Sequence, residues 1–185
     1  MNTENYIKAG KIAAQAREFG KTLCKENALV LDIAQKIEQK IIELGANPAF
    51  PINVSLNHIA AHQSPMINDP LKLAKGDLVK LDIGVHIEGS IADTACTIEI
   101  STDNYKKLIE ASESALNSAI KITKIGTSLN EIGKTIQQIR QSYGYSPIKN
   151  LSGHELKEYQ VHAGLVIPNY DNGDSKKLER GIIIA

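Results

Sequence analysis

The stretch Leu78–Ile100, which reads LVKLDIGVHIEGSIADTACTIEI, carries the strongest structural pattern in the chain. From position 79 to position 87 a large apolar residue stands at every second place, which is the period of a strand with one buried face. The dipeptide Glu88-Gly89 then indicates a tight turn, because glycine adopts positive φ without strain. Ser90 to Ile100 reads as the returning strand. The stretch therefore predicts an antiparallel hairpin of two long strands.

Two aspartates lie inside this hairpin, Asp82 and Asp93, although aspartate is disfavoured in strands. A two-residue turn places Asp82 opposite Ala95, with Asp93 as its diagonal neighbour. A four-residue turn places the two aspartates directly opposite each other. Both turns put the two carboxylates on one face of the hairpin, about 4.5–8 Å apart.

Two negative charges at that separation repel each other, and burial strengthens the repulsion. Protonation of one carboxyl resolves the conflict. So does a divalent cation bound between the two groups, because carboxylates bridge hard cations well. The hairpin is therefore a candidate metal site. The alternative is that one aspartate is a turn residue and the other lies in solvent.

The rest of the chain repeats one order of elements. Helical spacing of apolar residues predicts two helices before the hairpin and one after it, and Ser128 with Glu131 forms a capping-box signature for a fourth. The predicted segments are helices over about 5–24 and 29–44, a strand over 52–56, the hairpin, a helix over 103–124, the capped helix, and strands over 161–167 and 181–185. Two helices followed by strands occur twice, which predicts an α+β fold of two pseudo-equivalent halves.

The five histidines are further candidates for metal or substrate contacts. A glycine precedes His154, so that backbone and ligand can approach closely, and His162 follows eight residues later. His58 and His62 are four residues apart, but flanking prolines argue against a helical pair. Each imidazole could bind a metal or donate to a substrate oxygen. The alternative is a hydrogen-bonded structural histidine, and this role is favoured for His58 and His86.

Composition narrows the class of protein. The chain has 185 residues with 42% hydrophobic and 23% charged residues, which is typical of a globular protein. Lys+Arg and Asp+Glu are balanced at 21 each, which argues against DNA or another nucleic acid as a partner. Two cysteines are too few for a disulfide framework. With neither a signal-peptide order nor an apolar run of about 18 residues, we expect a cytoplasmic protein without a membrane partner.

Five separated motifs resemble one family. The segments Leu81–His86 and Ile91–Ala95 resemble the paired-aspartate signature of methionine aminopeptidases. Three further motifs resemble the archaeal and eukaryotic type II branch of that family. They are Ala49–Pro51 with the segment that ends at His62, Asn150–His154, and residues 162–164. The short N-terminus, without a lysine-rich or zinc-finger extension, looks archaeal. The resemblance covers essentially the whole chain in the family's order.

The resemblance implies a fold and a domain organisation. The family has the pita-bread (creatinase/aminopeptidase) fold, whose pseudo-twofold arrangement agrees with the repeated order of helices and strands. It implies one catalytic domain over residues 1–185. Because the apolar segment Ile182–Ala185 ends without a turn, we expect the second half to be incomplete and the chain to be truncated at its C-terminus.

The resemblance also implies metal ligands. Asp82 resembles the aspartate that chelates one metal ion, Asp93 the aspartate that bridges two ions, and His154 the single histidine ligand. Such oxygen and nitrogen ligands suit two divalent ions of cobalt, manganese, iron or zinc. The family completes its site with two glutamates that this chain lacks. We therefore expect weak metal binding and negligible turnover from these residues alone.

The remaining implied residues concern the substrate. His62 and His162 resemble the two histidines that contact the substrate and take part in catalysis, and Phe50 and Val161 match positions that line the pocket for a methionine side chain. The family reaction removes the initiator methionine from nascent proteins, through a hydroxide held between two metal ions. The implied partners are nascent polypeptide N-termini, at the ribosome, and the full-length protein is expected to be a monomer.

Two other functions compete with this one. A pita-bread homologue without catalysis could bind peptides or ribosomes, but such homologues replace the metal ligands that this chain keeps. An Xaa-Pro aminopeptidase or prolidase-like enzyme shares the fold and the metal pair, but usually carries an added N-terminal domain. The aminopeptidase that removes methionine is therefore the favoured reading.

Overall fold

A computed structural model describes residues 2–185 of the chain. These residues form two compact units. The first comprises the chain up to Asn104 together with Lys157–Val161, and the second comprises Tyr105–Leu156 with His162–Ala185. The single catalytic domain over 1–185 stays a prediction. No helix among residues 2–185 is both long enough and apolar enough to cross a membrane.

Two helices of the first unit match the predicted segments. Helix α1 is Thr3–Leu23 and helix α2 is Val30–Glu43. They approach closely at Gly20, where an added Cβ would lie 2.8 Å from Cδ1 of Ile37. A larger residue at Gly20 would therefore separate the helices, since a core packed to native density has no room for an extra methyl group.

The predicted hairpin is confirmed at the centre of the first sheet. Strands β1 (Asn47–Pro48) and β2 (Asn53–Leu56) pair with successive parts of strand β3 (Leu78–Ile87), and strand β4 (Ser90–Glu99) pairs with the whole length of β3. All of these pairings are antiparallel.

The turn between β3 and β4 has the two residues that the sequence predicts. Glu88 has a φ of 48° and Gly89 a φ of 81°. Two successive positive φ values are the mark of a two-residue hairpin turn whose twist matches that of the flanking strands. The register of the whole hairpin follows from this turn.

One face of β3 forms the core of the first unit. Its alternate residues Val79, Leu81, Ile83 and Val85 are fully buried, and α1 packs against β3 and β4. Each such side chain contributes about 1.5–3 kcal/mol through burial. Lys80, Asp82 and His86 are half-buried and lie on the opposite face, where Gly84 is buried.

The second unit begins with two further helices. Helix α3 is Lys106–Ile122 and helix α4 is Leu129–Ser142. The predicted capping box is confirmed, because the side chains of Ser128 and Glu131 each accept the other's backbone N–H.

The sheet of the second unit is made of short strands. Strand β5 (Gly153–Leu156) pairs antiparallel with β6 (Val166–Ile167) on one side and with β7 (Ile183–Ile184) on the other. The strand predicted over 161–167 is wrong except at its last two residues, since Gly164 has a φ of 107°. The strand predicted over 181–185 is confirmed only at its centre.

Candidate functional site

The two aspartates of the hairpin lie on one face. Asp82 is paired with Ala95, and Asp93 is paired with Gly84, so the observed register is the one predicted for a two-residue turn. Asp82 and Asp93 are therefore diagonal neighbours, about 7–8 Å apart. Both are half-buried on the side of the sheet that does not carry the apolar core.

Polar residues continue this face on both sides of Asp82. Asn53 of β2 is the partner of Asp82 across the strand, and its Oδ1 accepts a hydrogen bond of 3.1 Å from Ser64 Oγ. Lys80 lies two residues before Asp82, and its Nζ donates to the carbonyl oxygen of Asn57 at 2.7 Å. Burial lowers the pKa of Lys80. Sequence reasoning missed Asn53, whose only signal was an amide inside a buried strand.

Phe50 forms an apolar wall beside the aspartates. A Cβ added to Gly84 would lie 2.2 Å from Cε1 of Phe50, so the ring covers this glycine on the aspartate face. The backbone N–H of Ala49 donates to the carbonyl oxygen of Gly84 at 2.9 Å and fixes the segment there. The substrate-binding role of Phe50 stays a prediction, and its position next to both carboxylates is consistent with that role.

His62 has an uncommon backbone conformation. It is exposed, with a φ of 62°, in a region that non-glycine residues seldom occupy. The next residue, Gln63, is held to β2 by three hydrogen bonds, among them Val54 N–H to its carbonyl oxygen at 2.7 Å. Strain retained by surrounding bonds is typical of functional positions. It motivates the predicted catalytic role of His62, which stays a prediction.

In the second unit the structure brings two histidines together. The rings of His154 and His162 meet edge to face, with centroids 4.4 Å apart and planes at 62°. His154 lies in β5, where its backbone N–H donates to the carbonyl oxygen of Ala185 at 2.8 Å. The glycine before it is required, because a Cβ at Gly153 would lie 2.7 Å from that same oxygen. Val161, predicted to line the pocket, is half-buried and belongs to the first unit.

The donor types suit a divalent metal. Carboxylates such as those of Asp82 and Asp93, and imidazoles such as those of His154 and His162, are ligand types that suit manganese, iron, cobalt and zinc. Within residues 2–185 no three or more His, Cys, Asp or Glu side chains are grouped so as to hold a metal by themselves. Burial, with a smaller effect of neighbouring Cys96, raises the pKa of Cys24 to about 12, so this thiol is protonated at neutral pH and is a poor ligand.

The chain belongs to metallopeptidase family M24, which it matches over residues 4–185. Its family therefore implies a divalent metal cofactor. Within that family the chain is similar to archaeal methionine aminopeptidases. It is 46% identical over 186 residues to the Pyrococcus abyssi protein, and 43% identical over 187 residues to the Methanothermus fervidus protein, all of which is covered. The predicted resemblance is confirmed.

Solved structures confirm the predicted pita-bread fold class. The methionine aminopeptidase of Thermotoga maritima gives a TM-score of 0.89 at 26% identity, with 98% of this chain and 76% of that chain covered. The prolidase of Pyrococcus furiosus gives 0.82 at 26% identity, with 98% and 54% covered. The chain spans only 63% of the Pyrococcus abyssi methionine aminopeptidase, although it is covered completely itself.

Proposed function

We propose that the chain is part of an enzyme that hydrolyses the N-terminal methionine from proteins. The observation that carries this proposal is the placement of Asp82 and Asp93 as diagonal neighbours on the open face of one hairpin, in a chain of a metallopeptidase family. The similarity to proteins named methionine aminopeptidase supports methionine as the residue removed.

The proposed cofactor is a pair of divalent ions, of cobalt, manganese, iron or zinc. Asp82, Asp93 and His154 are the residues that would hold the ions. Bound divalent ions supply Lewis acidity and lower the pKa of a water molecule toward neutrality. The half-buried carboxylates suit this task, because their mutual repulsion is relieved when a cation binds.

The other proposed residues act on the substrate. A neutral imidazole N–H at His162 or His62 can donate to the oxygen on which negative charge develops, and such a donor lowers the barrier by stabilising that charge. Phe50 and Val161 offer apolar surface to the methionine side chain. A difference of one methylene changes binding in such a pocket by only about 1–3 kcal/mol. We therefore expect some activity on residues of similar size.

The proposed partners are the N-termini of nascent polypeptides, at the ribosome in the cytoplasm. The net charge of zero gives the chain no general attraction for DNA. We also propose that the full-length protein acts as a monomer, without a membrane or nucleic-acid partner.

Metal titration of the 185-residue chain tests the proposal. We expect Co²⁺ to bind weakly to these residues alone. Asp82→Asn, Asp93→Asn and His154→Ala should each weaken that binding further, by more than about 10–100-fold, which is the loss caused by removing a ligand's supporting partner. Asp103→Asn and His58→Ala are matched controls, because both residues are exposed outside the proposed site. Binding that survives all three ligand changes would contradict the proposed site.

Peptide hydrolysis by the full-length protein tests the specificity. We expect turnover of Met-Ala peptides and none of Ala-Pro peptides. The opposite preference would show a prolidase-like enzyme, and metal binding without hydrolysis of either peptide would show a homologue that only binds.

A further inference from the structure

A short segment of the chain leaves the second unit and returns to it. Residues Lys157–Val161 belong to the first unit, while Leu156 before them and His162 after them belong to the second. The segment is a closed turn, since the backbone N–H of Lys157 donates to the carbonyl oxygen of Gln160 at 3.0 Å and the reverse bond measures 2.9 Å. We refer to residues 157–161 as the clip.

The clip contacts the tip of the aspartate hairpin. The backbone N–H of Tyr159 donates to the carbonyl oxygen of Gly89 at 3.0 Å. The Tyr159 ring packs so closely on Gly89 that an added Cβ would lie 2.5 Å from Cε2 of the ring. The same ring stands edge to face with His86, at 5.7 Å between centroids. His86 in turn accepts the Gly89 N–H at Nδ1, at 3.3 Å.

Specific contacts, rather than burial, hold the clip in place. Tyr159 is 68% exposed, so removal from water contributes little to its position. Its φ of 56° is uncommon for a side chain of this size. Such a conformation is strained and persists only when its surroundings fix it. The two backbone bonds between Lys157 and Gln160 fix it from within the clip, and the contacts with the hairpin tip fix it from outside.

The start of α1 joins the same tip. The Nδ2 of Asn5 donates to Oε2 of Glu88 at 3.0 Å. Burial raises the pKa of Tyr6, and the negative charge of Glu158 raises it further.

We propose that Tyr159 holds the clip on the tip of the aspartate hairpin and thereby restricts the motion of the chain on either side of the clip, which makes Tyr159 a positioning residue. His154 lies three residues before the clip and His162 one residue after it. Fixing a segment between two residues removes conformational freedom from both, because the free lengths of chain become short. The inference rests on the proposed metal site for its purpose, but the anchoring itself does not.

Amide hydrogen exchange of the metal-free chain tests the anchoring. In Tyr159→Ala and Gly89→Ala we expect the amides of Gly153–Leu156 and of 162–165 to exchange about tenfold faster. Tyr159→Phe keeps the ring and should exchange like the unsubstituted chain. Gly76→Ala is the control for backbone strain, since Gly76 has a φ of 88° and an added Cβ would meet nothing within 4 Å. Unchanged exchange in Tyr159→Ala and Gly89→Ala would refute the clip.

Co²⁺ titration of the same variants tests the positioning. We expect Tyr159→Ala and Gly89→Ala to bind Co²⁺ about tenfold more weakly, as when a group that orients a ligand is lost. Their visible Co²⁺ absorption should also shift, and Tyr159→Phe should restore both affinity and spectrum. Equal affinity and spectra in all variants would overturn the positioning role. If the unsubstituted chain binds no Co²⁺, the proposed function fails, and exchange alone decides the anchoring.

Discussion

The first unit carries two strands of ten residues each, whereas the strands of the second unit have two to four residues. Strand β3 has a partner on both sides and a fully buried face against the helices. Strand β5 also has two partners, but each pairing covers only two residues. The two aspartates therefore lie on a long hydrogen-bonded ladder, while His154 lies on a short one.

This difference indicates how the two kinds of proposed ligand are held. A carboxylate on a long buried strand needs no further support, because moving it would break many hydrogen bonds and expose the core. An imidazole on a four-residue strand depends on the few contacts around it. These include the Ala185 carbonyl, the neighbouring His162 ring and, by our proposal, the clip. Substitutions should therefore affect the two units differently.

The largest expected effect separates the two cores. Ile37→Ala should destabilise the first unit toward the upper part of the about 2–5 kcal/mol range, because rigid neighbours on α1 and β3 leave a cavity. Ile132→Ala should cost toward the lower part, since the neighbouring Ile122, Ile136 and Ile184 are only partly buried and can relax. Hydrogen exchange in denaturant, followed separately at β3 and β5, measures both costs. Equal costs would mean that the second core is as rigid as the first.

A smaller effect on stability is expected at Gly133 in α4, which lies close to the backbone of Tyr170. A Cβ at Gly133 would lie 2.2 Å from the carbonyl oxygen of Tyr170, which is backbone and cannot move aside. Gly133→Ala should destabilise the second unit by about 1–3 kcal/mol, as overpacking does. Gly10→Ala in α1 is the control, because its Cβ would meet nothing within 4 Å.

For the control variant, helix propensity predicts a change in stability of the opposite sign. Gly10→Ala should stabilise the first unit by up to about 1 kcal/mol, because alanine loses less backbone freedom than glycine in a helix. Thermal unfolding followed by circular dichroism gives the two signs. If Gly133→Ala also stabilised the chain, the short distance to the Tyr170 carbonyl oxygen would not cause overpacking in the second unit.

The same contrast explains what the sequence could predict. In the first unit, local patterns were sufficient to predict the hairpin and the shared face of its two aspartates, while two registers stayed open. The observed two-residue turn places Asp82 opposite Ala95. The capping box at Ser128 was predicted for the same reason, since its two partners are three residues apart. Structural features that depend on residues close together in the sequence could therefore be predicted from the sequence.

Structural features that depend on residues far apart in the sequence could not be predicted in this way. Strand β5 reads Gly-His-Glu-Leu, which has no alternation of apolar residues, and only its partners β6 and β7 make it a strand. The contact between His154 and His162 requires the chain to turn through the clip and come back. The strand predicted through Val161 failed at this turn. The site roles of these histidines therefore stay predictions from resemblance.

The smallest expected effect concerns the capping box. Ser128→Ala should cost about 1 kcal/mol, because the serine side chain accepts a backbone N–H at the start of α4. Ser142→Ala at the other end of the same helix is the control, since its Oγ only donates to the Ile139 carbonyl at 2.8 Å. Urea unfolding at neutral pH measures both variants. A larger loss of stability from Ser142→Ala than from Ser128→Ala would show that the capping box does not stabilise the start of α4.

The capping box also gives the second unit a dependence on pH. Hydrogen bonds from the backbone and side chain of Ser128 lower the pKa of Glu131 below its usual 4.5. A carboxyl with a lowered pKa in the folded state stabilises the fold above its unfolded pKa, and this contribution is lost as the pH falls through the folded value. Acidification below about pH 4.5 should therefore weaken α4 in the unsubstituted chain, and Glu131→Gln should remove this dependence. Because the aspartate ladder has no part in the box, Glu131→Gln should leave the pH dependence of exchange at β3 unchanged, and a change at both sheets would argue that the two units unfold as one.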